Sequence, residues 1–350
     1  MPLEEAINSF EELKIPAPDE SPAIMMGSNG KVRVITVNGV AGYLSKAVLK
    51  EKGNYPGISL ELEETAEVLT ASGIEVFFLT DARNKKADND FYPGDVWVYI
   101  NGRYVPSSHF GGLGESGFVV PGKGFVLVGE GALSTGSYIE AGLTPRRTSF
   151  WITGKDEERE VKFGDHQRET DRKSFRELAR KVYGVEEVYL MPGFTSEASG
   201  LRDRSYTWGH IDLFIGSVPE KNVLSVAKFY YEKYRRSFDE IAERFRPDLI
   251  LTSGKFSDFE NNYRVFHANG SSFVLMDKRA ERLKAELEER GVTVVTTKSG
   301  FGNLCAEDSA VHCVTNVLHG RDVFNLLNKQ AYRNELRLIP YTQKATQRLS

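Results

Sequence analysis

The chain has 350 residues, and its 45 Lys and Arg against 49 Asp and Glu leave a formal net charge of −4. That balance offers no basic surface to nucleic acid or an anionic membrane, and 40% apolar with 27% charged residues is a globular composition rather than a disordered or fibrous one. No apolar run approaches the ~18 residues of a membrane-spanning helix. With only Cys305 and Cys313, a disulfide framework and a cysteine-rich zinc site are excluded.

In chain order, residues 1–22 read as a short helix and an extended lead-in punctuated by Pro16, Pro18 and Pro22. The start MPLEEAINSFEELKIPAPDESP is acidic and lacks the basic, then apolar, pattern of a signal peptide, so a cytoplasmic protein is expected. The lead-in is taken to end at residue 25, and a single α/β domain to occupy 26–350. No Pro-, Gly- or Ser-rich linker divides it.

A unit then recurs: amphipathic helix, glycine, short β-branched strand. It occupies 61–81, 169–193 and 276–300, with Gly73, Gly184 and Gly291 where a helix C-cap wants a left-handed backbone. A poorer copy at 237–254 lacks the glycine. The capped copies are roughly 110 residues apart, too far for a solenoid. Further strands are predicted at 31–37, 95–100, 124–129, 210–216, 263–268 and 272–277, before the run VHCVTNVL near the end.

Each capped unit is followed, about 22–26 residues after its glycine, by a reactive group: Asp95, His210 or Cys313. Arranged around one axis, the modules would bring a carboxylate, an imidazole and a thiol together. A thiol attacks only as its thiolate, so it needs a base or a lowered pKa. His312 is adjacent to Cys313, but in an extended segment neighbouring side chains take opposite faces. His210, opening a predicted strand with Asp212 on the same face, is the better-placed base. On spacing alone, Cys313 reads either as a nucleophile or as a buried structural thiol. GGLGESG (111–117) looks like a phosphate loop, but no helix follows and the Walker Lys-Ser/Thr pair is missing. Tyr206 and Trp208 read either as walls of a site or as core aromatics.

GHID (209–212) with AVHCVT (310–315) resembles the amidinotransferase, or pentein, superfamily of guanidine-modifying enzymes, and most of all its agmatine deiminase branch. DNDFYPGDVWVYINGRYV (88–105) and GGLGESGFVVPGKGFVLVG (111–129) are similar to two further stretches of that family. The four patches lie in the family's order between about residues 30 and 320. The resemblance implies a pentein-type α/β propeller of pseudo-symmetric ββαβ modules around a central site. It also implies Cys313 as nucleophile, His210 as acid and base, and Asp95 and Asp212 as carboxylates for a guanidinium. Glu115 matches the family's glutamate, with Glu130 as the alternative register.

Gly94 departs from the family's Arg, EDSAV from its run of glycines, and Ser116 from its E-G-G triplet. The implied activity is a metal-independent hydrolase, without cofactor, that releases ammonia from a small guanidino substrate such as agmatine or arginine. An amidinotransferase and a non-catalytic binding protein of the same fold are the alternatives. The sequence implies no nucleic-acid or membrane partner, and it is compatible with a homo-oligomer.

Overall fold

The computed structural model describes residues 22–26, 55–72, 77–81, 97–101, 103–106, 111–129, 132, 165–191, 210–253, 259–268, 271–306, 310–319 and 336–340. The expected strand at 31–37 and the cap at Gly73 lie outside these residues. Among the described residues the strands form six small sheets and no closed barrel.

Three of these sheets share one plan. In the first, β5 (Val119–Pro121) and β6 (Val126–Gly129) form an antiparallel hairpin, α2 (Asp165–Tyr183) crosses over, and β7 (Val188–Met191) returns parallel to β6. In the second, β8 (Ile215–Val218) and β9 (Val223–Ala227) are antiparallel. The helices α3 (Lys228–Lys233) and α4 (Arg235–Phe245) then lead to β10 (Asp248–Thr252), parallel to β9. The third repeats it with β11 (Arg264–Ala268), β12 (Ser271–Leu275), α5 (Glu281–Glu289) and β13 (Thr293–Val295). A parallel return requires a crossover, and the helices of the predicted units at 169–193, 237–254 and 276–300 supply it, whereas the strand of the unit at 61–81 pairs antiparallel with a distant partner.

The sequence pattern explains the elements. In α2, Phe175, Leu178, Ala179, Val182 and Tyr183 are buried, at the spacing of a single helix face. All of Val126–Gly129 and Val223–Ala227 is buried, as a central strand covered on both faces must be. Gly184 and Gly291 do adopt left-handed backbone, with φ of 64° and 71°. In the copy without glycine, Arg246 takes that conformation itself at φ 47°. The side-chain amide of Asn222 donates to the carbonyls of Phe245 and Arg246 at 3.2 and 2.9 Å, holding the end of α4 where glycine is missing.

The remaining strands pair over long distances. β1 (Pro22–Met26), at the end of the stretch read as a lead-in, runs antiparallel to β14 (Thr315–His319), with Met26 opposite Thr315. β2 (Phe77–Asp81) pairs with β15 (Leu336–Pro340), and β3 (Trp97–Ile100) with β4 (Arg103–Pro106). α1 (Tyr55–Ala71) sends Glu61 to the backbone N–H of Asn303 at 2.7 Å and Glu64 to that of Ser299 at 2.8 Å. These contacts fix the loop on the approach to the second cysteine. No helix among the described residues is long and apolar enough to cross a membrane.

Candidate active site

The site is assembled from three separated segments: a 3-10 turn before β5, the turn before β8, and the junction of β11 with the cysteine-bearing turn. Ser116–Phe118 forms the 3-10 turn, with Glu115 at its start. The loop before it is anchored by the buried Tyr183 hydroxyl, which donates to the Leu113 carbonyl at 2.8 Å. The Gly117 carbonyl accepts from the backbone N–H of Asp212 at 3.2 Å, joining the first two segments.

That contact explains a departure from the sequence reading. The predicted strand at 210–216 begins only at Ile215, because the Asp212 N–H is engaged by Gly117. The N–H groups of Phe214 and Ile215 both turn back to the Ile211 carbonyl. His210 and Asp212 therefore sit on a turn rather than on one strand face. The His210 ring packs edge-on against Phe118, centroids 4.5 Å apart, directly over Gly117. Burial lowers its pKa, with Asp212 opposing, so the imidazole is favoured neutral.

The second departure concerns His312. Val311–Val314 is a single turn of helix, not extended chain. Its short length is compensated by outside donors. Arg264 gives its guanidinium to the carbonyls of His312 and Thr315, both at 2.6 Å, to Thr315 Oγ1 at 3.1 Å and to Ser116 Oγ at 3.3 Å. The Thr315 hydroxyl caps the Val311 carbonyl. His312 therefore does not face away from Cys313, because alternation holds only in a strand. His312 Nδ1 lies 2.9 Å from Asp212 Oδ2, and Cys313 Sγ lies 3.7 Å from the same oxygen.

Asp212 and Cys313 are both buried, 2% and 7% exposed. Asn262, also buried, completes the cluster. Its Nδ2 donates to Asp212 Oδ2 at 2.8 Å and lies 3.4 Å from Cys313 Sγ, while its Oδ1 accepts from the His312 backbone N–H at 3.0 Å. Asp212 Oδ2 is thereby occupied by protein donors, whereas Oδ1 is buried with no hydrogen-bond partner among the described residues. The carboxylate presents one free oxygen, so a two-oxygen grip on a ligand would have to share Oδ2 with His312 and Asn262.

Burial dominates the electrostatics. It pushes the His312 pKa down to about 4, helped by the nearby Arg264 charge and opposed by Asp212. Burial raises Glu115 to about 7, so this acid is divided between its two forms near neutral pH. Cys305 stands apart. Burial pushes its thiol up to about 12, with Arg279 Nη2 at 3.0 Å from the sulfur and Arg279 itself clamped on Asp277.

Of the residues the sequence singled out, Cys313, His210, Asp212 and Glu115 are described. Asp95, Trp208, Tyr206 and Glu130 lie outside the described residues. Asn262, Arg264 and His312 were not anticipated as members of the cluster. One signal did exist: an arginine two residues before Phe266 in a strand shares that residue's face, and a charge on an apolar face needs a polar partner inside.

No protein-family model matches the sequence, and no curated protein matches it. Solved structures do show similarity, two agmatine deiminases among them. One is a structural-genomics target assigned as an agmatine deiminase, 14% identical, with a TM-score of 0.34 over 59% of this chain and 56% of that one. The other is a substrate-bound cysteine-to-serine variant of the C. jejuni agmatine deiminase, 11% identical, with a TM-score of 0.32 over 83% and 72% of the two chains. The chain thus spans a little over half the length of the first of these.

Proposed function

We propose that this protein is a guanidine-modifying enzyme of the pentein type, a cysteine hydrolase that removes ammonia from a small guanidino compound. The proposal includes a propeller-like closure of the ββαβ modules around the cluster. The observation that carries the reading is the meeting of Cys313, Asp212 and His312 within 3.7 Å of a single carboxylate oxygen, with the other oxygen of Asp212 left to accept from a ligand. A buried carboxylate with one open acceptor fits a flat cation that presents N–H donors. A thiol beside it fits attack on that cation's central carbon.

In the proposed reaction the Cys313 thiol gives its proton to the neutral His210, and the resulting thiolate adds to the guanidinium carbon, with Asp212 and Asp95 accepting the guanidinium N–H groups. The tetrahedral adduct expels one nitrogen as ammonia, protonated by His210, and leaves an amidino group on the sulfur. Water deprotonated by His210 then attacks the same carbon, releasing the ureido product and the thiol. A neutral His210 is competent to take the water's proton, and Glu115, poised near neutrality, suits proton exchange at the same centre.

The experiment is a screen of guanidino compounds, agmatine and arginine among them, for ammonia and ureido product, with Cys313→Ser as control. Ammonia release by the wild type and none by Cys313→Ser is the expected result. Product formed only when an amine acceptor is added would make the protein an amidinotransferase. Ligand binding without either reaction would make it a binding protein.

A further inference from the structure

We propose that Asn262 is a catalytic residue whose side-chain amide stabilises the Cys313 thiolate beside the Asp212 carboxylate. This rests on the reading of Cys313 as a nucleophile. The Cys313 sulfur and Asp212 Oδ2 are 3.7 Å apart, both nearly excluded from water. Two anions so placed repel strongly, and each raises the cost of ionising the other. The geometry places one group against both: Asn262 Nδ2 is 2.8 Å from the carboxylate oxygen and 3.4 Å from the sulfur. An amide nitrogen carries two N–H donors, one for each anion.

The orientation of this amide follows from its partners. The His312 backbone N–H is only a donor, so the atom 3.0 Å from it must be Oδ1. The opposite atom, facing an ionised carboxylate that only accepts, must be Nδ2. With a neutral thiol, the sulfur has acceptors at Asp212 Oδ2 and at Asn262 Oδ1, 3.6 Å away. On ionisation the same asparagine becomes the donor to the sulfur, so no side chain has to be replaced. Hydrogen bonds to an ionised partner are roughly twice as strong as neutral ones. Among the described residues, the titratable and charged groups around this turn are Asp212 and His210 from the turn before β8, His312 from the turn itself, Arg264 from β11, and Glu115 at the start of the 3-10 turn packed on it. None of them is changed by substituting Asn262.

The test is the pH dependence of Cys313 alkylation by iodoacetamide in a Cys305→Ser background, comparing wild type, Asn262→Ala and the isosteric Asn262→Asp. The midpoint is expected to rise by about 1 pH unit or more in Asn262→Ala, and further in Asn262→Asp, which loses the donor and adds a carboxyl group. Unchanged midpoints in variants with native near-ultraviolet circular dichroism overturn the proposal. A wild-type measurement stands independently of folding: the Asn262 side-chain amide NMR resonances should titrate with Cys313 and cease to do so once the sulfur is methylated. Amide resonances flat through that range overturn it equally. Iodoacetamide needs no guanidine site. A failed substrate screen with shifted midpoints therefore leaves this assignment standing, and turnover with unshifted midpoints removes it alone.

Discussion

His312 Nδ1 meets Asp212 Oδ2 at 2.9 Å across 100 residues of chain. An ionised carboxylate only accepts, so the ring nitrogen facing it carries the proton and Nε2 keeps its lone pair. Because burial holds the ring neutral, this contact orients Asp212 without cancelling its charge. The carboxylate stays available to a cationic ligand through its free oxygen.

Burial of the same ring sets a pH signature. His312 drops from an ordinary 6.5 to about 4 in the fold, so its contribution to stability is complete above about 6.5 and is lost as pH falls toward 4. Glu115 rises from 4.5 to about 7, so its contribution is complete below about 4.5 and is lost as pH rises toward 7. Between about 4.5 and 6.5 the two slopes oppose each other, each near 1.4 kcal/mol per pH unit. Denaturant melts across this range should therefore tilt in opposite directions in single variants. Glu115→Gln should gain stability with rising pH relative to wild type, and His312→Asn should lose it. Parallel curves for all three proteins would show that neither group is shifted.

The two cysteines should separate cleanly. A thiol held near 12 is almost wholly protonated at neutral pH, so a haloacetamidine reagent carrying a guanidine-like head should label Cys313 and leave Cys305 intact. Peptide mapping of the alkylated protein decides the matter. Preferential labelling of Cys305, or full turnover by Cys313→Ser, would remove Cys313 from the chemistry.

Gly117 leaves room for the His210 imidazole. A Cβ there would stand 2.4 Å from His210 Nδ1 and 2.7 Å from Cε1, closer than any real contact, so the ring would have to move. Gly117→Ala should lower kcat on the order of 10²-fold, as misplacement of a reacting group by about 1 Å does, while the chain still folds. Wild-type turnover in this variant would mean that the present seat of His210 is not used.

Asp212→Asn tests the charge. It preserves shape but leaves a bound cation unpaired, a loss of roughly 3–5 kcal/mol for a buried pair. Turnover of a guanidinium substrate should fall by two orders of magnitude or more, with the near-ultraviolet circular dichroism unchanged. A variant as active as wild type would exclude Asp212 from substrate binding.

Much of the scaffold was legible in the sequence because its signals are local. The units read at 169–193, 237–254 and 276–300 correspond to the αβ halves of three sheets, and Gly184 and Gly291 take the backbone their positions implied. Cys313, His210, Asp212 and Glu115 were named from short motifs, which carry identity but not placement. Failures of the local reading come from contacts distant in sequence. VHCV is β-branched and reads as extended, yet it coils because Arg264 and Thr315 satisfy its carbonyls. Asn262 looks like an ordinary loop residue until the fold sets it beside partners about 50 positions away on either side. Pro22–Met26 has no strand pattern of its own and becomes a strand by pairing with Thr315–His319.

That last pairing has a consequence during synthesis. Pro22–Met26 leaves the ribosome roughly 290 residues before its partner, a wait of about 15–60 s at ordinary translation rates. Throughout that interval the apolar strand PAIMM lacks the strand it pairs with among the described residues. The segment that follows Cys313 is completed only when Thr315–His319 arrives and zips onto this strand. A nascent chain stalled before that point carries both an open edge and an unfinished site, and a holdase protecting this protein would have to shield its opening strand the longest.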